Sequence, residues 1–307
     1  MKKTIKVGII LLILGLILAI FGIANNGIQS IYWQSGFHVA KVRTKTYQPA
    51  KIKSITLNTD ADVTIKQGDT TKVTVSSARQ LPSMTYDNGN VTIKSTQFTH
   101  ETVGFIITPE VSTHRVTITI PKNTIVNTIK ATKQTGNVAI SNVAVKDLQL
   151  TTQSDLDLAQ VTVKNSANLQ ANDVTVNKLT APSLQADIDG AVRISDSTFT
   201  HATSNITSTA DVTIKDTQLK SAAITATAGT ITLRHNQLTS NLAAKVTDGD
   251  INVQTNRANG VTAKTSTGDL AIFGWHSDSH RSYQYKTNAK AQYQLTSTSG
   301  EINVTAS

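Results

Sequence analysis

Ala210-Asp-Val-Thr-Ile-Lys-Asp-Thr-Gln-Leu219 is followed by Gly229-Thr-Ile-Thr-Leu-Arg-His-Asn-Gln-Leu238, which sets Val212-Thr213-Ile214 and Ile231-Thr232-Leu233 nineteen residues apart in matching surroundings. Within each stretch apolar and polar residues alternate with period two, the pattern of a strand with one buried face. A small residue stands two places before each apolar triplet, and a leucine five places after it.

The same unit extends in both directions. Triplets begin at Val138, Leu156, Val174, Val192, Val212, Ile231, Ile251, Leu270 and Ile302, at intervals of 18, 18, 18, 20, 19, 20, 19 and 32 residues. Gly136, Gly190, Gly229, Gly249, Gly268 and Gly300 fill the small column, where a tight turn needs positive φ or a close backbone approach. A coil this short can bury its apolar side only by stacking on another. The expected fold is therefore all-β, a single-stacked parallel β-solenoid (β-helix) of roughly 18 to 20 residues per coil. At about 4.8 Å per coil the rod is about 60 Å long.

Before the repeat, Val7 to Ala24 reads VGIILLILGLILAIFGIA, eighteen residues without a charge, behind Lys2, Lys3 and Lys6. At about 1.5 Å per residue such a helix crosses the hydrocarbon of a bilayer. The lysines orient the N-terminus to the cytoplasm. A cleaved signal peptide is the competing reading, with Gly22-Ile23-Ala24 imitating a cleavage site. The expected organisation is a cytoplasmic tip (1–6), one N-terminal transmembrane α-helix (7–24) in contact with membrane lipid, a juxtamembrane segment (25–49) and an extracellular repeat region (50–307). Within that region 50–125 is an irregular lead-in or cap, and 126–307 holds regular repeats with an insertion at 274–292. Gly8, Gly15 and Gly22 recur every seven residues, and Gly15 with Ala19 makes a small-xxx-small pair that lets two helices approach closely, as in self-association; a membrane-protein partner is the other expectation for the helix.

The insertion, Gly274-WHSDSHRSYQYKTNAKAQ, concentrates Trp275, His276, His280, Arg281, Tyr283 and Tyr285. Such an insertion first reads as a cap on the rod end; since insertions also leave a solenoid as loops on one face, the alternative is a ligand-binding loop with these six as its candidate residues. A second excursion, Phe98 to His114, reads as a cap, with ligand binding as the alternative. Asp62, Asp155, Asp173, Asp211, Asp250, Asp269 and Glu301 stand immediately before triplets. With coils stacked in chain order, Asp250 and Asp269 are neighbours and weak candidates for calcium; the alternative is turn hydrogen bonding.

Composition narrows function further. The formal charge of +9 carries no Lys/Arg block or Arg-aromatic interleaving, which speaks against nucleic acid and leaves attraction to anionic cell-wall or surface polymers. The absence of cysteine excludes disulfides and thiolate metal sites. No GxSxG, HExxH, Walker or GxGxxG pattern occurs, so no catalytic residue and no cofactor is expected.

Val116-Thr-Ile-Thr-Ile-Pro121, Thr135-Gly136-Asn137-Val138, Asp248-Gly249-Asp250-Ile251, Ser266-Thr267-Gly268-Asp269-Leu270 and Ser299-Gly300-Glu301-Ile302 resemble the strand and turn motifs of the bacterial putative-adhesin family with β-strand repeats, a domain of unknown function common in Gram-positive envelopes. The resemblance covers roughly residues 50 to 307 and is weaker over 141–228. It implies a cell-surface β-solenoid, with adhesion presumed and links to envelope-stress regulation in some members. The expected function is thus a non-enzymatic membrane-anchored adhesin or envelope-binding scaffold. The alternatives are an accessory regulator of an envelope-stress response and a polysaccharide-active β-helix enzyme.

Overall fold

In the computed structural model, which describes residues 2–24, 31–33, 36–39, 41–78, 80–95, 104–105 and 114–307, every apolar triplet of the repeat is a short strand of one 14-stranded sheet. The next strand of each coil, such as Ala144–Thr152 or Gln218–Ala228, belongs to a facing 15-stranded sheet. Alternation decides which side is inside: Val138 and Ile140 are buried around Ala139, and Leu148 and Leu150 around Gln149. The inward aliphatic residues of both sheets join in one core. Each fully buried Val, Leu or Ile contributes about 1.5–3 kcal/mol.

Through the middle of the chain the pairing is parallel and in register. Val138 lies beside Leu156, and the series continues through Val174, Val192, Val212, Ile231 and Ile251. One corner of each coil was not marked by glycine. Asn142, Gln160, Lys178, Asp196, Asp216 and His235, two residues past their triplets, all have φ between 50 and 56°. A non-glycine residue there costs on the order of 1 kcal/mol. The cost is offset because each of these N–H groups donates to a carbonyl of the next coil: Asn142 to Ala159, Gln160 to Asn177 and Lys178 to Ser195, at 2.9 to 3.0 Å. The left-handed turn is what keeps the hydrogen-bond ladder unbroken around the corner.

Both ends depart from stacking in chain order. Ile302–Ala306 lies between Ile251–Thr255 and Leu270–Ile272, and Gln292–Ser299 lies between Asn241–Asp248 and Gly260–Thr265. The last coil in sequence is therefore next to last in space. The other end mirrors this, with Asp62–Gly68 held between His114–Pro121 and Val138–Ser141, and Ser54–Asn58 between Asn90–Lys94 and Ile125–Gln134. Antiparallel strands then close each end: Lys72–Ser77 and Ser83–Asp87 at one, Trp275–Ser277 and Ser282–Tyr285 at the other. The sheets are consequently mixed rather than purely parallel. The physical reason is the open edge of a parallel stack, which hairpins cover and a continued coil does not.

Helix α1 (Lys2–Ala24) contains a twenty-residue stretch, Ile5–Ala24, long and apolar enough to cross a membrane. Its large side chains are exposed on every side, a distribution that suits lipid rather than a protein core. A separate three-stranded antiparallel sheet joins Ile31–Trp33, Phe37–Val39 and Gly104–Phe105. Most of the 98–114 excursion lies outside the described residues.

Candidate functional site

The interval of 32 residues is occupied by the terminal hairpins, and there the candidate residues divide into groups. Trp275 pairs with Ile272 across the sheet edge, and its ring stacks on Tyr283 with centroids 4.1 Å apart and planes at 20°. His280 meets the Trp275 ring edge-on at 6.0 Å, while its Nδ1 shares a 2.9 Å hydrogen bond with Ser277 Oγ. These three form one cluster. Tyr285 belongs to another: it packs against Phe273 at 4.9 Å, the Lys286 ammonium lies over its ring at 5.4 Å, and its hydroxyl donates to Arg257 O at 3.3 Å.

Arg281 does not join either cluster. Its Nη1 donates to Gly268 O at 2.6 Å, tying the hairpin to the glycine corner. His276 stands exposed opposite Ala271. Phe273, Arg257 and Lys286 complete the second cluster and were not marked by the sequence reading, since Arg257 comes from an earlier turn brought close only by folding. Trp275, Tyr283, Tyr285 and Phe273 are half-buried against the core, so the insertion covers the last coil while each ring stays partly exposed. Such amphipathic rings suit contact sites as well as caps.

Tyr293 lies behind the cap, almost wholly buried in the inserted coil. Burial raises its pKa above the ordinary tyrosine value, partly opposed by its hydrogen bond with Thr255. Nothing in the local pattern distinguishes it from the aliphatic residue expected at that inward position.

The acidic column has a structural role different from the one expected. Asp250 and Asp269 are not neighbours, because Ile302 pairs with both Ile251 and Leu270 and so brings Glu301 between them. Asp250 Oδ1 accepts the N–H of Glu301 at 2.8 Å. Asp62 accepts from Asn137 at 3.0 Å, Asp173 from Ala191 at 2.6 Å and Asp211 from Thr230 at 2.7 Å. The carboxylates thus bind the backbone of the adjoining coil rather than their own turn. Among the described residues no group of three or more His, Cys, Asp or Glu side chains gathers to hold a metal.

The glycine column explains itself by contact. A Cβ on Gly249 would lie 1.9 Å from Gly229 O, and one on Gly268 would lie 1.7 Å from Gly300 O. In space these glycines follow the order 229, 249, 300, 268, the same interleaving as the strands.

No curated protein matches the chain. Among solved structures it is similar to a putative adhesin from Bacteroides fragilis NCTC 9343, at 14% identity over 86% of this chain and 97% of that one, with a TM-score of 0.39. It is also similar to putative adhesins from Parabacteroides merdae ATCC 43184 (13% identity, 87% and 96% covered, TM-score 0.38) and Parabacteroides distasonis ATCC 8503 (16% identity, 86% and 97% covered, TM-score 0.39). The family model described as Toastrack DUF4097 matches residues 52–305, nearly the whole of the β-region and most of the chain, and the chain therefore belongs to the Toastrack DUF4097 family.

Proposed function

We propose that the protein is a non-enzymatic cell-surface scaffold, held by α1 in the membrane with its N-terminus cytoplasmic, that presents a single-stacked β-solenoid outward and binds cell-wall or surface polymers at its far end. The observation that carries this reading is the half-exposed Trp275–Tyr283 stack, whose Trp275 lies at the opposite end of the 14-stranded sheet from Arg43–Tyr47, the strand of that sheet nearest the helix in sequence. With strands about 4.8 Å apart, the two ends of that sheet are about 60 Å from one another. A stacked pair of rings gives a flat apolar platform with polar rims from His280 and Tyr283, a surface suited to sugar faces. The rest of the rod is the spacer.

Replacing Trp275 and Tyr283 together by alanine tests the platform. Retention on purified wall polysaccharide should fall at least tenfold on the order of the loss of two anchoring aromatics, with the far-UV spectrum unchanged. Equal retention removes the cap from the function. A second reading, a regulator of an envelope-stress response that engages a membrane protein through α1, rests on the small residues Gly8, Gly15 and Gly22 recurring every seven residues along the helix. Exchanging α1 for an unrelated anchor separates the two: polymer binding survives under the first reading, and the signalling phenotype is lost under the second.

A further inference from the structure

Away from the cap, the outer face of the 14-stranded sheet carries Arg193, Lys215 and Arg234 on three successive strands, Val192–Ser195, Val212–Lys215 and Ile231–Arg234. Lys215 and Arg234 are direct register partners. Like charges so placed repel one another across the ladder. Among the described residues neither has an ion pair: Asp216, the acid next in sequence to Lys215, is engaged instead by His235 at 3.7 Å. Beyond Arg234 the face becomes neutral and rich in amides. Asn252 is the register partner of Asn303, and Gln254 that of Thr305. Arg234 and these four line a shallow cleft of about 340 Å³. The Asn252, Gln254 and Asn303 side chains make no hydrogen bond within the protein among the described residues, so their donors and acceptors are turned to solvent.

We infer that this cleft, together with Lys215 beside its Arg234 end, is a second binding site, for an anionic polyhydroxylated glycan: the Lys215–Arg234 pair takes a carboxylate or phosphate, and the carboxamides of Asn252, Gln254 and Asn303 take the neighbouring hydroxyls. Charge complementarity selects the anion, because a negative group between Lys215 and Arg234 removes a repulsion that the protein alone leaves uncompensated. The paired amides select a sugar chain over a bare polyanion, since each presents both a donor and an acceptor, as a hydroxyl requires. The parallel register repeats these groups at about 4.8 Å steps along the rod, so an extended chain lying along the stack meets the cations first and the amides next. The site rests on the reading of the protein as a surface binder only for where the glycan comes from. Its residues are separate from the cap.

The test uses the full chain in detergent micelles, titrated by calorimetry with oligogalacturonate (carboxylate) and with a glycosyl-substituted poly(glycerol phosphate) (phosphate). Binding of either, weakening with added salt, is the expected result, and which one binds identifies the charged group. Arg234→Gln should weaken it by at least about tenfold, and Asn252→Ala with Asn303→Ala by a smaller factor. Arg234→Gln leaves the melting temperature unchanged or raised, since it removes a like-charge contact, so its loss of binding is not loss of fold. The proposal is overturned if inorganic polyphosphate binds equally well, if methyl-esterified oligogalacturonate binds equally well, if neither anionic glycan binds, or if Arg234→Gln has no effect. Replacement of Trp275 and Tyr283 should leave this binding intact, so failure at the cap and failure at the cleft are distinguishable.

Discussion

Asp250 accepts a hydrogen bond from the backbone N–H of Glu301 at 2.8 Å, across 51 residues of chain. The bond joins the last coil in sequence to the coil it sits upon in space. Elsewhere in the column Asp62, Asp173 and Asp211 are each followed in space by a neutral residue, Asn137, Ala191 and Thr230 respectively. Asp155 stands beside Asp173, and at the distal end three acids, Asp250, Glu301 and Asp269, come in succession.

Removing that acceptor leaves a backbone donor poorly paired. Asp250→Ala should lower stability by about 1 kcal/mol, read as a shift of the denaturation midpoint. Asp250→Asn keeps an acceptor oxygen and lessens repulsion with Glu301, so it should equal or exceed the parent. An unchanged midpoint for the alanine variant would show that the bond contributes nothing.

The glycine corner makes a sharper demand. In Gly268→Ala the new methyl would stand 1.7 Å from a backbone oxygen, which no side-chain rotation relieves, and a loss of about 3 kcal/mol or more is expected. Gly274→Ala provides the contrast, for its φ is +95° but nothing lies within 4 Å of the added carbon. That variant should lose only about 1 kcal/mol. Thermal melts of the two, compared side by side, fail the argument if their order is reversed.

Alkaline pH should find Tyr293. Its folded-state pKa is raised by burial above the unfolded value of about 10. The folded state therefore holds the proton more tightly, the contribution is flat below pH 10, and stability falls once the unfolded chain ionises. The slope is about 1.4 kcal/mol per pH unit until the folded group also titrates. Tyr293→Phe removes the hydroxyl and its bond to Thr255, at a cost of about 1 kcal/mol at neutral pH, and should flatten the alkaline limb. Identical limbs in both proteins would be the contrary result.

Truncation should act in an unexpected place. Deleting residues 292–307 removes a coil from inside the stack, not from its end, because Gln292–Ser299 and Ile302–Ala306 are flanked on both sides. Hydrogen exchange should then speed up across 260–285 as well as along Asn241–Asp248 and Ile251–Thr255, and Trp275 emission should shift to the red. Protection retained over 260–285 would mean that those strands are held by something other than the inserted coil.

The alternation of Val212-Thr213-Ile214 and its kin, with a period near nineteen, determined the strands, their buried faces and the register between successive coils in the middle of the chain. It did so because burial of every second residue admits only one facing. The run from Val7 to Ala24 determined the apolar helix for the same kind of reason, since nothing charged interrupts it. The left-handed corner at Asn142, Gln160 and Lys178 was not legible: those residue types tolerate many conformations, and the ladder bond that compensates the turn comes from the adjoining coil. The spatial order of the ends was decided by tertiary structure alone. Ile302-Asn303-Val304 fits any slot in the stack that Leu270-Ala271-Ile272 would fit, so the local pattern is degenerate. What selects the slot is non-local: the glycine contact of Gly300 with Gly249 and Gly268, the bond from Glu301 to Asp250, and hairpins that must face outward to cover the open edge.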